Sequence, residues 1–170
     1  MQFSVYSQLQ SVTTDPQFTD GPSRSPPKEA NMSDQVIPDG TYTVMGPGGA
    51  LTADFNAIVL LEPTGEKNQQ WEVQFDSGTY TLRNVANGVY LGNDGDPNAT
   101  AMMVKGARQS YTWKLSTGMD GDEETILLTS AASQDGLVLT RSILRIFPPQ
   151  LAILQPGQFG PPVEWALSSK

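Results

Sequence analysis

The chain has 170 residues, a net charge of −8 and an isoelectric point near 4.3. It contains no Cys and no His, which removes thiol nucleophiles, disulfides, imidazole bases and the usual zinc and copper ligands together. An acidic surface repels phosphate backbones, and no apolar run approaches the ~20 residues that span a bilayer, so neither nucleic acid nor membrane is an expected partner.

Sixteen Gly and thirteen Pro punctuate the chain heavily, which argues for short strands joined by turns and against long helices. Residues 1–36 are rich in Ser, Thr, Gln and Pro. Phe3, Val5, Tyr6, Leu9 and Val12 are too scattered to bury a face, and Arg24-Ser25-Pro26-Pro27-Lys28 fits neither a helix nor a central strand. This segment reads as a disordered N-terminal extension, and 37–170 as one folded domain. The start lacks the basic flank and apolar stretch of a signal peptide.

The first repeat opens at the turn Ile37-Pro38-Asp39-Gly40. Strands are expected at Thr41–Val44, Ala50–Ala53, Ile58–Leu61 and Trp71–Phe75. The second repeat has strands at Tyr80–Leu82, Val89–Leu91, Ala101–Val104 and Tyr111–Leu115, with a hairpin signal at Asn87-Gly88. The third has Ile126–Leu128, Leu137–Leu139, Leu151–Leu154 and Val163–Leu167, with a hairpin at Asp135-Gly136 and an insertion over Arg141–Pro149. Each repeat closes on the same phrase: Trp71-Glu72-Val73, Trp113-Lys114-Leu115, Trp165-Ala166-Leu167. The strand and turn landmarks keep register with those tryptophans. Twelve strands in three four-strand units are the plan of an all-β β-trefoil, in which six strands close a barrel and three hairpins cap it. A β-sandwich is the alternative, and the threefold period counts against it.

The acidic clusters Asp94-Gly95-Asp96 and Asp120-Gly121-Asp122-Glu123-Glu124 read as solvated turns, since neither has EF-hand spacing. Gly46-Pro47-Gly48-Gly49 lacks the Lys-Ser/Thr of a phosphate loop. No activated nucleophile or base can be assembled, so the chain reads as a non-enzyme that needs no cofactor and no metal. Gln69-Gln70-Trp71 satisfies the Gln-x-Trp motif of ricin-type trefoil lectins, with Asp54 and Phe55 as the acid and stacking aromatic such a site wants. The corresponding residues in the other repeats are Tyr111 and Val163. The bland reading of Gln69 is a structural hydrogen bond.

Pro38-Asp39-Gly40-Thr41-Tyr42-Thr43, Tyr80-Thr81-Leu82-Arg83-Asn84, Leu144-Arg145-Ile146-Phe147-Pro148-Pro149 and the closing Trp165 resemble the β-trefoil serine protease inhibitors of mushrooms, the cospin and cnispin type. The resemblance implies a cytoplasmic, monomeric, defensive fungal protein whose partner is a serine protease. It implies a substrate-like loop, either Asp54–Ala57 or Gln155–Pro162. Candidate protease-binding residues are Gly157, Gln158, Phe159 and Gly160 in the latter, Asn56 and Ala57 in the former, and Arg145 in the insertion. Neither loop holds Lys or Arg, so a non-trypsin specificity is expected, with Phe159 suited to a chymotrypsin-like pocket. A carbohydrate-binding lectin is the alternative function.

Overall fold

The computed structural model describes residues 35–55, 57–93, 101–118, 125–133, 135–144, 147–154, 156–157 and 161–170. The chain divides into Met1–Ala30, which lies outside the described residues, and Asn31–Lys170, which holds every element below.

Among the described residues there are thirteen strands. The first repeat contributes β1 (Gly40–Gly46), β2 (Gly49–Asp54), β3 (Ala57–Leu61) and β4 (Trp71–Asp76). The second contributes β5 (Thr79–Asn84), β6 (Tyr90–Gly92), β7 (Ala101–Met103), β8 (Lys105–Ala107) and β9 (Trp113–Thr117). The third contributes β10 (Thr125–Ser130), β11 (Val138–Arg141), β12 (Leu151–Leu154) and β13 (Trp165–Ser169). The extra strand arises where the third strand of the second repeat breaks at Val104. Its first half pairs with β12 and its second with β3 and β6, so one expected strand serves two neighbours.

Six strands pair in a closed ring: β1 with β4, β4 with β5, β5 with β9, β9 with β10, β10 with β13, and β13 with β1. These are the outer strands of the three repeats, and closure leaves the ring no free edge. The inner strands make three hairpins, β2–β3, β6–β8 and β11–β12. Those hairpins meet one another through β3–β8, β12–β7 and the bridge Val59↔Gln150, which is the triangular cap of a β-trefoil. The fold is all-β, as the sequence pattern implies.

Alternation aims one side-chain set of each strand inward. Val44, Leu51, Leu60, Val73, Leu82, Leu91, Leu128, Leu139 and Ile153 are buried with all three tryptophans in one shared core. At Gly46 the chain passes against the Trp165 ring. A Cβ there would sit 2.4 Å from an indole carbon, so the residue is Gly for want of space. Ahead of β1, the amides of Val36 and Ile37 donate to the Tyr80 hydroxyl at 2.6 and 3.2 Å, which ties that segment to β5.

Candidate functional site

Each tryptophan closes its repeat in the same way. The indole Nε1 of Trp71 donates to Leu51 O at 2.9 Å, that of Trp113 to Leu91 O at 2.9 Å, and that of Trp165 to Leu139 O at 3.4 Å. The threefold pattern makes two further positions comparable. One follows the accepting Leu: Thr52, Gly92 or Thr140. The other lies two residues before the Trp: Gln69, Tyr111 or Val163. There the repeats diverge.

In the second repeat the pair is Gly92 and Tyr111. A Cβ on Gly92 would lie 2.3 Å from Tyr111 Cβ, and the ring packs on Trp113 at 5.0 Å between centroids. The tyrosine fills the position. Its hydroxyl shares a hydrogen bond with Ser130 Oγ. In the third repeat Val163 offers no polar group at all.

The first repeat keeps a polar pair. Pro63 ends β3, and Lys67–Gln69 forms a single 3₁₀ turn that carries Gln69 inward, where it is 1% exposed. Its Nε2 donates to Thr52 Oγ1 at 3.1 Å and Glu62 O at 2.8 Å. Its Oε1 accepts from Thr64 N, Thr64 Oγ1 and Gly65 N at 2.7, 3.1 and 3.2 Å. Thr52 Oγ1 donates onward to Ala50 O. The bland expectation for Gln69 therefore holds. It fastens the β3–β4 connection to β2, and every polar atom of its side chain is engaged.

That connection walls a cleft of about 350 Å³. Thr52, Glu62, Thr64, Glu66, Asn68 and Gln69 line it from the first repeat, with Leu60 and Leu61 supplying an apolar patch. Phe147 and Pro149 line the other side and come from the third repeat. Pro149 O accepts from Leu60 N at 3.0 Å, and Gln150 bridges Val59, so the end of the insertion is fixed to β3. This brings Phe147 to the cleft with 89% of its surface exposed. Within the insertion Ile143 and Leu144 are also more than half exposed, so these side chains do not pack it onto the barrel.

The carboxylates of Glu62 and Glu66 are exposed and make no ion pair or side-chain hydrogen bond among the described residues. Asn68 is half-buried, and its Oδ1 is a buried acceptor with no partner among the described residues. No Lys or Arg among the described residues belongs to the lining. Among the described residues no group of three acidic side chains is placed to hold a metal ion.

The structure does not bring Asp54 and Phe55 to Gln69. They sit at the β2–β3 tip, outside the cleft lining. Phe55 is 88% exposed, has φ of 52°, and its carbonyl accepts weakly from Asn87 Nδ2 at 3.4 Å. Ala57 opens β3 and faces Lys105 across the pairing with β8. Gly157 is exposed with φ of 76° in a turn after Pro156. Asn56, Arg145, Gln158, Phe159 and Gly160 lie outside the described residues, as do the two acidic clusters. Glu62, Thr64, Glu66 and Asn68 are the cleft residues that sequence reasoning passed over, and Phe147 stood there only within the stretch that carries the inhibitor resemblance. The available signal was the break in threefold register at the Arg141–Pro149 insertion.

No curated protein matches the chain by sequence. The sequence pattern of the family described as ricin-type beta-trefoil lectin domain-like matches residues 67–142. Among solved structures, the chain is similar to the Macrolepiota procera ricin B-like lectin in complex with lactose. Identity is 20%, the match covers 80% of this chain and 99% of that one, and the TM-score is 0.66. It is similar to the Rhizoctonia solani agglutinin at 19% identity, covering 79% and 97%, with a TM-score of 0.65. It is also similar to a mosquitocidal holotoxin at 14% identity and a TM-score of 0.66; 79% of this chain is covered, but only 18% of the toxin's length. Identities this low establish the fold: the chain is a β-trefoil whose residues 67–142 match the ricin-type lectin-like pattern.

Proposed function

We propose that the chain is a non-catalytic carbohydrate-binding domain and that its site is the cleft between the β3–β4 connection and Phe147. The observation that carries this reading is the pairing of an exposed aromatic face with a polar wall across one small concavity. A sugar ring has an apolar C–H face and an edge of hydroxyls, so it needs both kinds of surface at once. The volume is at the low end for small-ligand sites and suits a monosaccharide unit. Gln69 contributes as scaffold, holding the wall on which Glu62, Thr64, Glu66 and Asn68 stand. The lectin-like family pattern over 67–142 and the lectin neighbours support the same reading. A glycan array followed by calorimetry of the hits tests it. Binding that Phe147→Ala weakens supports the cleft; an array blank across neutral, acidic and amino sugars removes it.

Serine protease inhibition is the second reading, and one observation favours it: Phe55 protrudes from the β2–β3 tip, one of the two loops expected to act. Its left-handed backbone argues against that residue as the inserted P1 group, because proteases bind their substrates extended. The other loop, Gln155–Pro162, holds the Phe159 candidate. Residual activity of trypsin, chymotrypsin and subtilisin with micromolar protein decides the matter, with Phe55→Ala and Phe159→Ala separating the loops. No inhibition of any of the three ends this reading.

A further inference from the structure

We infer that the cleft prefers a sugar bearing a free, protonated amine, an N-unsubstituted hexosamine unit, over its N-acetylated or acidic counterparts. The inference rests on the carbohydrate reading of this cleft and adds the charge class of the ligand.

It follows from which polar groups of the lining are still free. Thr52, Thr64 and Gln69 satisfy one another. The Thr52 hydroxyl proton goes to Ala50 O, the Thr64 hydroxyl proton to Gln69 Oε1, and both Gln69 amide protons to Thr52 Oγ1 and Glu62 O. These side chains have no hydrogen-bond donor left for a ligand. The groups that remain are mainly acceptors. Glu62 and Glu66 present two unpaired carboxylates, whereas the partnerless Asn68 Oδ1 is itself buried and is not presented to a ligand. Among the described residues, Lys67 in the 3₁₀ turn and Lys170, whose Nζ lies beside Gly65, stand outside the lining; Arg145, two residues before Phe147, lies outside the described residues.

A cleft with surplus acceptors and two negative charges fits a ligand rich in donors and positive in charge. Each ammonium–carboxylate contact is charge-assisted and stronger than its neutral equivalent. A carboxylated or sulfated sugar would meet like charge. An acetamido group would replace three N–H donors with one and remove the charge. Phe147 suits the same ligand, since a cation beside an aromatic face is attracted by the ring quadrupole.

The overall charge of −8 would attract any polycation, so the test separates local from bulk attraction. Calorimetry of the full chain would compare a short glucosamine oligomer with the N-acetylglucosamine oligomer of equal length, at mildly acidic pH. The glucosamine oligomer should bind about tenfold tighter, the order expected from two partly screened ion pairs. The preference should shrink in high salt. The double variant Glu62→Gln/Glu66→Gln should abolish it without moving the melting temperature. The double variant Glu72→Gln/Asp135→Asn makes the same charge change away from the cleft and should keep it. Equal binding of the two oligomers, or a preference that survives Glu62→Gln/Glu66→Gln, overturns the inference while leaving the carbohydrate reading in place. Loss of preference in both double variants assigns the effect to bulk charge and also overturns it. Absence of binding by these oligomers and by every neutral sugar removes both readings together.

Discussion

The side-chain amide of Gln69 donates to the Thr52 hydroxyl at 3.1 Å, between two residues that are 1% and 0% exposed. This bond joins the connection after β3 to the middle of β2 and closes the floor of the cleft. Gln69→Ala would remove the donor to the buried Thr52 hydroxyl, whose own proton stays on Ala50 O, and loosen Thr64 and Gly65, whose amides donate to Gln69 Oε1. The expected cost is about 2–4 kcal/mol, from several hydrogen bonds lost at a buried site. Urea denaturation measures it. A cost under about 0.5 kcal/mol would show that the network does not hold the wall.

The three indole hydrogen bonds make a graded series. Trp→Phe at each position removes the indole donor and leaves a strand carbonyl unsatisfied. Trp71→Phe and Trp113→Phe break 2.9 Å bonds, whereas Trp165→Phe breaks one of 3.4 Å. All three rings are fully buried, so the cavity cost is similar and the bond makes the difference. The third variant should be the mildest, by about 1 kcal/mol. Chemical denaturation of the three proteins reads the order directly, and an inverted order contradicts the assignment.

Gly92 and Tyr111 are coupled by contact. Gly92→Ala places a methyl group 2.3 Å from Tyr111 Cβ and should cost about 1–3 kcal/mol through overpacking. In a Tyr111→Ala background the same substitution should cost much less, a non-additivity that a double-mutant cycle measures. Strict additivity would mean that the two side chains do not meet as described.

Phe147 is 89% exposed, and its neighbours Ile143 and Leu144 are also exposed. Phe147→Ala should leave stability within about 0.5 kcal/mol of the parent. It should weaken glycan binding roughly tenfold, as loss of a central aromatic contact does. Thermal denaturation and calorimetry on the same preparation separate the two effects. A large drop in melting temperature would recast Phe147 as a packing residue.

The fold was legible because it is written three times. Alternating apolar residues, hairpin turns and a closing Trp recur in register, and each occurrence lends weight to the others. Element edges were less legible. Ser168 and Ser169 have no strand signature, yet they extend β13 because Thr43 and Tyr42 of β1 lie opposite them. The last strands of the second and third repeats begin at Trp113 and Trp165, not two residues earlier, because Tyr111 and Val163 stand in the repeat-specific position ahead of them. In each case a tertiary neighbour sets a boundary that local propensity does not carry.

The site was harder to read for the same physical reason. Gln69 was visible through its spacing to Trp71, and the structure shows it spent on Thr52, Glu62, Thr64 and Gly65. Its expected companions, Asp54 and Phe55, point the search to the β2–β3 tip. The aromatic that reaches the cleft is Phe147, delivered across repeats when Pro149 pairs with Leu60. No local pattern encodes that meeting. Only the loss of threefold agreement in the third repeat marked where to look.

The most direct measurement is an amide-resolved NMR titration of the chain with a sugar that binds it. Thr64 N and Gly65 N report the cleft wall through their bonds to Gln69, and Leu60 N reports the Phe147 side through its bond to Pro149. Carbohydrate binding at the cleft should shift these three amides together and leave unchanged Phe55 at the β2–β3 tip and Asn87, which bonds it from the β5–β6 turn. Shifts confined to that tip, or to the segment before Trp165, would contradict the assignment of the site.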